Sequence, residues 1–465
     1  MNSFTDRLAP FILRMKNEGI PDLIIDHFKF YYRKLYDGET GLIPESDLLP
    51  VTSLDDAETF PAEYRETGEA ALPKTVIIKL NGGLGTSMGM DRAKSLLPVK
   101  NSLSFLDLIV RQSRSLRIFV PVVFMNSFST RQDTRNALKA YPEIWGDLPL
   151  DFLQHKIPKI NADDLSPAHT PGNPNLEWCP PGHGDLYPAL ETSGMLDTLL
   201  KAGYEYAFVS NADNLGAVMD PSLLGYFIAN ALTFMMETAD RTEGDKKGGH
   251  LARFKSGGYG LREIAQCPEN DQNSFMDIER HKYFNTNNIW LKLSALKRIL
   301  KEKRGILALP MIRNRKTVDP RDPNSRAVYQ LETAMGAAIS VLEPSGAVRV
   351  SRNRFAPVKN TADLLIVRSD CYTLDDGFRI MSDPACGLDR AAIDLDPAFY
   401  RRIDDFEARF PFGPPSLVNC RSLTIRGDVT FGADIRLSGE VTLVNHRKEP
   451  LEIENGRTLE GSLRV

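Results

Sequence analysis

The sequence predicts an α/β protein in which a doubly wound sheet follows a helical segment and precedes a parallel β-helix. Three patterns in the 465-residue chain support this prediction. The β-branched run at residues 75–80 stops abruptly in glycines, as a buried strand does when it leads into a ligand-binding loop. Strand-like and helix-like segments then alternate as far as residue 210. Beyond Pro414 apolar residues recur at every sixth position, which is typical of a parallel β-helix.

Composition and charge exclude several classes of protein. The formal net charge is −4, so no basic excess indicates nucleic acid or an anionic membrane as the main partner. No apolar run approaches the roughly 18 residues of a membrane-spanning helix, and the first residues lack the pattern of a signal peptide. The five cysteines are scattered, without a C-x-x-C pair. We therefore expect a cytoplasmic protein with free thiols.

Residues 1–50 are predicted to form a helical N-terminal segment. Leu8, Phe11, Ile12 and Met15 recur at steps of three and four, and a similar pattern resumes after the break at residues 19–21. A turn-rich stretch then carries the chain to the next domain. We interpret no chemistry in this segment.

The stretch at residues 74–100 is the strongest candidate for a ligand site. Its predicted strand ends at Asn81, Gly82 and Gly83, and glycines allow backbone N–H groups to approach an anion closely. The dinucleotide fingerprint G-x-G-x-x-G fails because Met88 replaces its last glycine, and the P-loop fails because the residue before Lys94 is an alanine. A tight glycine turn without a ligand remains the alternative.

The elements that follow this loop predict where other ligand groups lie. The expected helices are residues 105–116 and 186–201, and the expected strands are residues 119–125, 152–154 and 204–210. In a doubly wound sheet, the loops that leave the carboxyl ends of the strands carry the ligand groups. Met125 and Gln154 stand at two such ends.

Further polar residues stand next to predicted elements. Gly182 and His183 precede a helix, Asp213 follows a strand, and Asn287 lies in an asparagine-rich segment. A carboxylate at a strand end is a natural ligand for Mg²⁺, and amides suit a polyhydroxyl ligand because they both donate and accept. A helix cap, a turn aspartate and an asparagine-rich turn are the corresponding structural alternatives. Residues 327–342 are expected to form a core helix.

Taken together, these segments resemble the UTP–glucose-1-phosphate uridylyltransferases, the eukaryotic-type UDP-glucose pyrophosphorylases. The matching segments are GLIPESD, LNGGLGT, PPGHGD, NADNLG, LREIAQCP, FNTNNIW, QLETA and FAPVK. The resemblance implies a Rossmann-like (GT-A-like) nucleotidyltransferase domain at residues 51–355, with a mixed sheet flanked by helices. It also implies a C-terminal domain at residues 356–465 with a left-handed parallel β-helix, whose repeats lie at about 417–460.

The resemblance also implies the substrates and the cofactor, through the reaction that the family catalyses. UTP and glucose 1-phosphate form UDP-glucose and pyrophosphate, reversibly and with Mg²⁺. Because the sugar phosphate is already an anionic nucleophile, catalysis requires positioning and charge neutralisation rather than a general base.

The resemblance also implies a role for each matching residue. The residues that would hold the nucleotide are Leu80, Gly82, Gly83, Met125, Gln154, Gly182 and Asn211, the last four through uridine. A glutamine offers both donors and an acceptor, which fits the N3–H and a carbonyl of uracil. Lys94 and Lys359 would neutralise the phosphates, and Asp213 would hold Mg²⁺. His183 and Asn287 would face the sugar.

Two positions depart from the family pattern. Ala93 replaces the proline usual before Lys94, so we expect Lys94 to be less rigidly aimed. His250 replaces a threonine, so the family's sugar contacts are not carried over at this point. A broader UDP-sugar or UDP-N-acetylhexosamine pyrophosphorylase and a non-catalytic UDP-sugar-binding scaffold are the alternative functions. The open end of the β-helix would allow a homo-oligomer.

Overall fold

The computed structural model describes residues 4–386 and 391–465. The α-helices are α1 (Phe4–Asn17), α2 (Asp22–Tyr36), α3 (Ala62–Ala71), α4 (Phe105–Arg114), α5 (Arg131–Leu138), α6 (Leu186–Thr192), α7 (Met195–Lys201), α8 (Pro221–Ala229), α9 (Gln272–Met276), α10 (Leu293–Glu302), α11 (Thr361–Arg368), α12 (Pro397–Tyr400) and α13 (Ile403–Arg409). The predicted break in the N-terminal helical pattern lies between α1 and α2, where Gly19 has a φ of +67°.

The strands are short and lie between these helices or after them. They are β1 (Leu48–Pro50), β2 (Thr75–Asn81), β3 (Pro98–Lys100), β4 (Leu103–Ser104), β5 (Val122–Asn126), β6 (Asp151–Leu153), β7 (Ile157–Pro158), β8 (Ile160–Asn161), β9 (Trp178–Cys179), β10 (Tyr206–Asn211), β11 (Phe234–Asp240), β12 (His250–Phe254), β13 (Tyr259–Arg262), β14 (Tyr283–Lys292), β15 (Met311–Thr317), β16 (Ala327–Thr333), β17 (Ser345–Arg349), β18 (Tyr372–Leu374), β19 (Ile380–Ser382), β20 (Ala392–Leu395), β21 (Ser416–Arg426), β22 (Val429–Phe431), β23 (Arg436–Val444), β24 (Leu451–Ile453) and β25 (Thr458–Arg464).

The largest sheet of the described chain is mixed and ten-stranded. Its main path runs β1-β12-β14-β10-β2-β5-β6, with β11, β13 and β17 paired beside it. Strands β10, β2, β5 and β6 are parallel, whereas β14 runs antiparallel to β10. Alternate residues of β2 enter two apolar clusters: Val76 and Ile78 pack with α6, α7 and α10, and Ile77 packs with α4 and α8. The predicted α/β fold with a mixed sheet between helices is therefore confirmed.

The prediction of a core helix at residues 327–342 is wrong. These residues form β16 and a short 3₁₀ helix at Met335–Ser340. Strand β16 pairs with β15 along its whole length, and this cross-strand pairing overrides the helical spacing of its apolar residues. The small residues serve close packing instead, since a Cβ on Gly336 would lie 2.9 Å from side-chain carbons of Leu261 and Met236.

Two other predicted elements have different bounds. The helix expected at residues 186–201 is divided into α6 and α7, because Gly194 adopts a φ of +71° between them. The strand expected at residues 119–125 begins only at Val122, because Pro121 has no N–H to donate to a sheet.

The last part of the chain consists largely of parallel strands. Strands β20, β21, β23 and β25 form a four-stranded sheet, and β22 pairs with β24. The residues of the six-residue pattern are buried, and Leu423 pairs with Val441 as Ile425 pairs with Leu443. Their apolar cluster also contains Met88, from the loop at residues 82–89 that we call the glycine loop. The C-terminal strands and the glycine loop therefore share one core.

The free cysteines agree with the prediction from their scattered positions in the sequence. All five cysteines are free thiols, and four of them are buried. Among the helices of residues 4–386 and 391–465, none is both long and apolar enough to cross a membrane.

Candidate active site

A cavity of about 330 Å³ opens at the carboxyl ends of β2, β5 and β10. Its lining residues are Leu80, Asn81, Gly82, Gly83, Lys94, Ser95, Met125, Gln154, Pro180, His183, Asn211, Ala212 and Asp213. The structure thus brings together most of the residues singled out in the sequence. A larger cavity of about 650 Å³ surrounds Lys79 and Arg354, but hydrogen bonds and the buried Glu237 already satisfy these two cations. We therefore take the smaller cavity, which we call the nucleotide cavity, as the candidate site.

Buried amides hold the strand ends of this cavity in register. The side-chain NH₂ of Asn81 donates to Asn126 Oδ1 and to Thr134 Oγ1, both at 2.8 Å. The NH₂ of Asn126 in turn donates to Asp151 Oδ2 at 3.0 Å. Because each amide is buried and satisfied, this network fixes the ends of β2, β5 and β6 relative to α5.

Glycines allow Gln154 to form one wall of the nucleotide cavity. A Cβ on Gly82 would lie 2.8 Å from Gln154 Oε1, so only glycine leaves that oxygen in place. The Gln154 NH₂ donates to the carbonyl of Gly182 at 3.1 Å. Gly182 itself has a φ of +82°, and a Cβ there would lie 2.4 Å from the carbonyl oxygen of Thr333. The wall therefore presents an oriented amide whose oxygen is an acceptor.

The charged centre of the cavity is the pair Lys94 and Asp213. Lys94 Nζ lies 2.5 Å from Asp213 Oδ2, and the two side chains are 12% and 30% exposed. An anionic ligand that attracts Lys94 would release the Asp213 carboxylate for a cation. In the described residues no group of three or more His, Cys, Asp or Glu could hold a metal alone. One carboxylate nevertheless fits Mg²⁺, which is usually bound through one or two carboxylates and substrate phosphates.

The backbone before Lys94 is held by a residue that sequence reasoning missed. The N–H of Ala93 donates to Asp133 Oδ2 at 3.0 Å, and Ala93 is buried with a φ of −55°, within the range of proline. The N–H of Lys94 donates to the carbonyl of Gly83 at 3.1 Å. Asp133 thus restricts the backbone at the position where the family has a proline. Because Asp133 lies in α5, 40 residues from Ala93, the local sequence around Lys94 does not indicate this hydrogen bond.

His183 faces the cavity as a neutral imidazole. Its Nδ1 accepts the backbone N–H of Met335 at 2.9 Å, and burial lowers the pKa of His183 to about 4. Since Nδ1 accepts, the ring proton is on Nε2, which can donate to a ligand.

Comparison with known proteins places the chain in a family. The family model described as UTP–glucose-1-phosphate uridylyltransferase matches residues 26–438. The chain belongs to this family. It is 42% identical to the UTP–glucose-1-phosphate uridylyltransferase of Hordeum vulgare over 405 residues, covering 86% of this chain and 83% of that one. The Solanum tuberosum enzyme of the same name is 41% identical, with 89% and 84% coverage.

Solved structures of UDP-glucose pyrophosphorylases share the same fold. A point mutant of the Leishmania major enzyme in complex with UDP-glucose has a TM-score of 0.92 and 42% identity, covering 100% of both chains. The UDP-glucose phosphorylase of Trypanosoma brucei has a TM-score of 0.91 and 45% identity, covering 99% of both chains. The similarity therefore extends through the C-terminal strands of this uridylyltransferase-family chain.

Three of the residues that the family resemblance implies stand outside the cavity lining. Gly182 contacts it through Gln154. Asn287 has a φ of +58° at an irregularity of β14, and its Oδ1 accepts from Asn285 at 2.9 Å. Lys359 is exposed, with its Nζ 5.9 Å from the centre of the Phe355 ring. A backbone N–H of the preceding residue donates to the carbonyl of Asp213 at 3.3 Å, so Lys359 lies at the rim.

Glu263 is a second functional candidate that sequence reasoning missed. A Cβ on Gly249 would lie 2.5 Å from Glu263 Oε2, and Asn285 hydrogen-bonds the same carboxyl group. Burial raises the pKa of Glu263 to about 7, although the positive charge of Lys359 opposes this. The glutamate in LREIAQCP was the only signal in the sequence, and a single glutamate there has no distinctive spacing.

His250, the other departure from the family pattern, points into the core. It is fully buried, and its ring stacks on that of His281 with centres 3.9 Å apart. Phe275 packs against the same ring with centres 4.8 Å apart. The histidine therefore changes the packing behind Gly249 rather than the lining of the nucleotide cavity.

Proposed function

We propose that this chain transfers the uridylyl group of UTP to glucose 1-phosphate and releases pyrophosphate. Family membership supports this activity, as does the binding of UDP-glucose by a relative that is 42% identical. The observation that carries the proposal is the Lys94–Asp213 pair between the glycine loop and the Gln154 wall. It provides a cation for phosphates and an anion for a metal at the carboxyl edge of the sheet.

The proposed reaction is an in-line displacement at phosphorus. A phosphate oxygen of glucose 1-phosphate forms a bond to the α-phosphorus of UTP, while the bond from that phosphorus to the β-phosphate oxygen breaks and pyrophosphate leaves. Negative charge gathers on the transferring group, so Lys94 and Lys359 would lower the barrier by neutralising it. The backbone of Gly82 and Gly83 would hold the nucleotide beside them.

Asp213 would hold Mg²⁺ together with the phosphates of UTP. When bound, Mg²⁺ neutralises phosphate charge and orients the triphosphate. The role of this chain's residues is to place the carboxylate: Asp213 follows β10, and Lys94, from the segment after the glycine loop, donates to it.

Uridine recognition would rest on Gln154, Gly182, Met125 and Asn211. Because the Gln154 NH₂ already donates to Gly182, its Oε1 is the atom left to accept the N3–H of uracil. Adenine has no N–H at the corresponding ring position. The sugar would be held by His183 Nε2–H, by Asn287 and by the Glu263 carboxylate, which accepts from hydroxyl groups.

Finer features of the assembly belong to the same proposal. The parallel strands after residue 391 would form a left-handed parallel β-helix in a C-terminal domain at residues 356–465, following a catalytic domain at 51–355. The buried six-residue columns support this arrangement. We also propose that the chain forms a homo-oligomer through the open end of the β-helix and that it is located in the cytoplasm.

Pyrophosphate release from UTP, glucose 1-phosphate and MgCl₂ tests the proposed function. We expect turnover with UTP and a loss of at least about tenfold with ATP, because an unmatched buried polar group costs roughly 1–3 kcal/mol. Gln154→Leu should reduce turnover with UTP and make the ratio of UTP turnover to ATP turnover smaller. Equal use of both nucleotides by the unaltered protein would remove Gln154 from its role.

The other candidate functions predict different results in the same assay. A broader pyrophosphorylase would accept galactose 1-phosphate or N-acetylglucosamine 1-phosphate as readily as glucose 1-phosphate. A non-catalytic scaffold would bind UDP-glucose without any release of pyrophosphate.

The affinity for UDP-glucose is expected to depend on pH through Glu263. The pKa of Glu263 is raised to about 7, so the carboxylate that accepts sugar hydroxyls is lost as the pH falls through this value. Calorimetric titration should show the Kd for UDP-glucose rising several-fold from about pH 8 to about pH 6, a range in which the ligand has no titrating group. Glu263→Gln should bind more weakly at high pH and with no such dependence. An equal pH dependence in both proteins would contradict the assignment.

A further inference from the structure

A separate cavity of about 520 Å³ adjoins the second half of the glycine loop. Thr86 and Gly89 of the loop line it, together with Arg321, Arg401 and Arg402. We call this space the arginine cavity. None of these five residues lines the nucleotide cavity, which takes Gly82 and Gly83 from the first half of the same loop.

The three arginines come from two distant parts of the chain. Arg321 lies in the connection between β15 and β16, whereas Arg401 and Arg402 join α12 to α13. The lining contains one carboxylate, that of Asp405, which lies 3.9 Å from Arg402 Nε. The three arginines are exposed, and with a single carboxylate among them the lining carries a net positive charge. The arginine cavity therefore has the charge of a site for a polyanion.

Backbone contacts connect the arginine cavity to the glycine loop and to Lys359. Arg401 Nε donates to the carbonyl of Ser87, and Ser87 Oγ donates to the carbonyl of Lys359, each at 3.4 Å. Arg402 packs on Gly89, where a Cβ would lie 3.2 Å from Arg402 Cγ. The arginine cavity thus adjoins the glycine loop, and one hydrogen bond connects that loop to the backbone of Lys359, whose side chain would face the phosphates of UTP.

We propose that the arginine cavity receives the pyrophosphate that leaves UTP, with Arg401 and Arg402 as its main ligands. This inference rests on the proposed function. A triphosphate held at Gly82, Gly83 and Lys94 would bring its β- and γ-phosphates toward Thr86 if it followed the rest of the glycine loop. Guanidinium groups match phosphate oxygens in paired, charge-assisted hydrogen bonds. In the reverse reaction the same cavity holds pyrophosphate for its attack on the α-phosphorus of UDP-glucose.

Steady-state kinetics of the reverse reaction test this assignment. In the double variant Arg401→Ala/Arg402→Ala, the KM for pyrophosphate should rise about tenfold or more, while the KM for UDP-glucose changes less than about twofold. The variant Arg401→Lys/Arg402→Lys should recover only part of the loss, because it keeps the charges without the planar fork. A merely structural role would change both constants together.

Arg421→Ala is the matched control, since it removes an exposed arginine from the C-terminal strands. It should leave both KM values unchanged. Inhibition by inorganic phosphate distinguishes a product site from a site for a separate effector. Inhibition that competes with pyrophosphate supports the assignment. A non-competitive inhibition that is lost in the double variant overturns it. An unchanged KM for pyrophosphate in an active double variant also overturns it.

Calorimetric titration of pyrophosphate into each folded protein separates this inference from the proposed function. Weaker pyrophosphate binding by the double variant than by Arg421→Ala supports the arginine cavity even if no turnover occurs. Unaltered binding rejects the arginine cavity, and absence of turnover in the unaltered protein rejects only the proposed function.

Discussion

Replacing Lys94 with methionine is expected to lower kcat by about a hundredfold or more, with a much smaller change in the Kd for UTP. The Lys94 side chain is 12% exposed and its Nζ lies 2.5 Å from Asp213 Oδ2, so its positive charge is held in place within the cavity. Removing one such group from a developing negative charge costs about 3–4 kcal/mol of transition-state stabilisation. Steady-state kinetics and a direct UTP titration on the same preparation measure the two effects separately.

Lys139→Met is the control for this experiment, because Lys139 is an exposed lysine just after α5. It should have near-normal kinetics.

Lys359→Ala tests the second lysine in the same way: a large fall in kcat places it at the transferring phosphoryl group, as we propose. A near-normal kcat would show that Lys359 is a surface residue with no role in the active site. If Lys94→Met weakened UTP binding and kcat equally, Lys94 would be a ground-state ligand only.

Deleting residues 415–465 is expected to unfold the C-terminal part of the protein and abolish UTP binding. The reason is that Met88 and Leu97, near Lys94, share an apolar cluster with the deleted strands. Loss of each large buried side chain costs about 2–5 kcal/mol, and a protein has only about 5–15 kcal/mol of stability. Circular dichroism and UTP titration would follow both changes.

A milder variant keeps this prediction testable if the shortened chain aggregates. Phe431 is 1% exposed and stacks on Phe410, so Phe431→Ala should lower the free energy of unfolding by about 3–5 kcal/mol. Removing only residues 461–465, which are largely exposed, is the control and should cost much less. Full UTP affinity in a folded chain that ends at residue 414 would show that the glycine loop does not depend on the C-terminal strands.

The residues of the nucleotide cavity were predictable where they follow strands. Gly82 and Gln154 directly follow strands β2 and β6, and Asp213 lies two residues after β10. Parallel strands bring such positions to one edge of the sheet. Asp133 and Glu263 could not be found in this way, since each acts through a contact with a residue distant in the sequence.

The error at residues 327–342 has a related cause. Apolar and small residues there are spaced as in a helix, but their partners are β15 and the side chains that crowd Gly336. Periodicity reports which residues are buried, whereas the element that forms depends on which surface buries them.

The core shared by the glycine loop and the C-terminal strands makes these two regions thermodynamically linked. A nucleotide that stabilises the loop must also reduce how often the shared core opens. Cys420 lies in this core and is 7% exposed, so its thiol becomes reactive only in the opened state. The alkylation rate of a thiol more than 300 residues from the glycine loop in the sequence would thus report whether the nucleotide cavity is occupied.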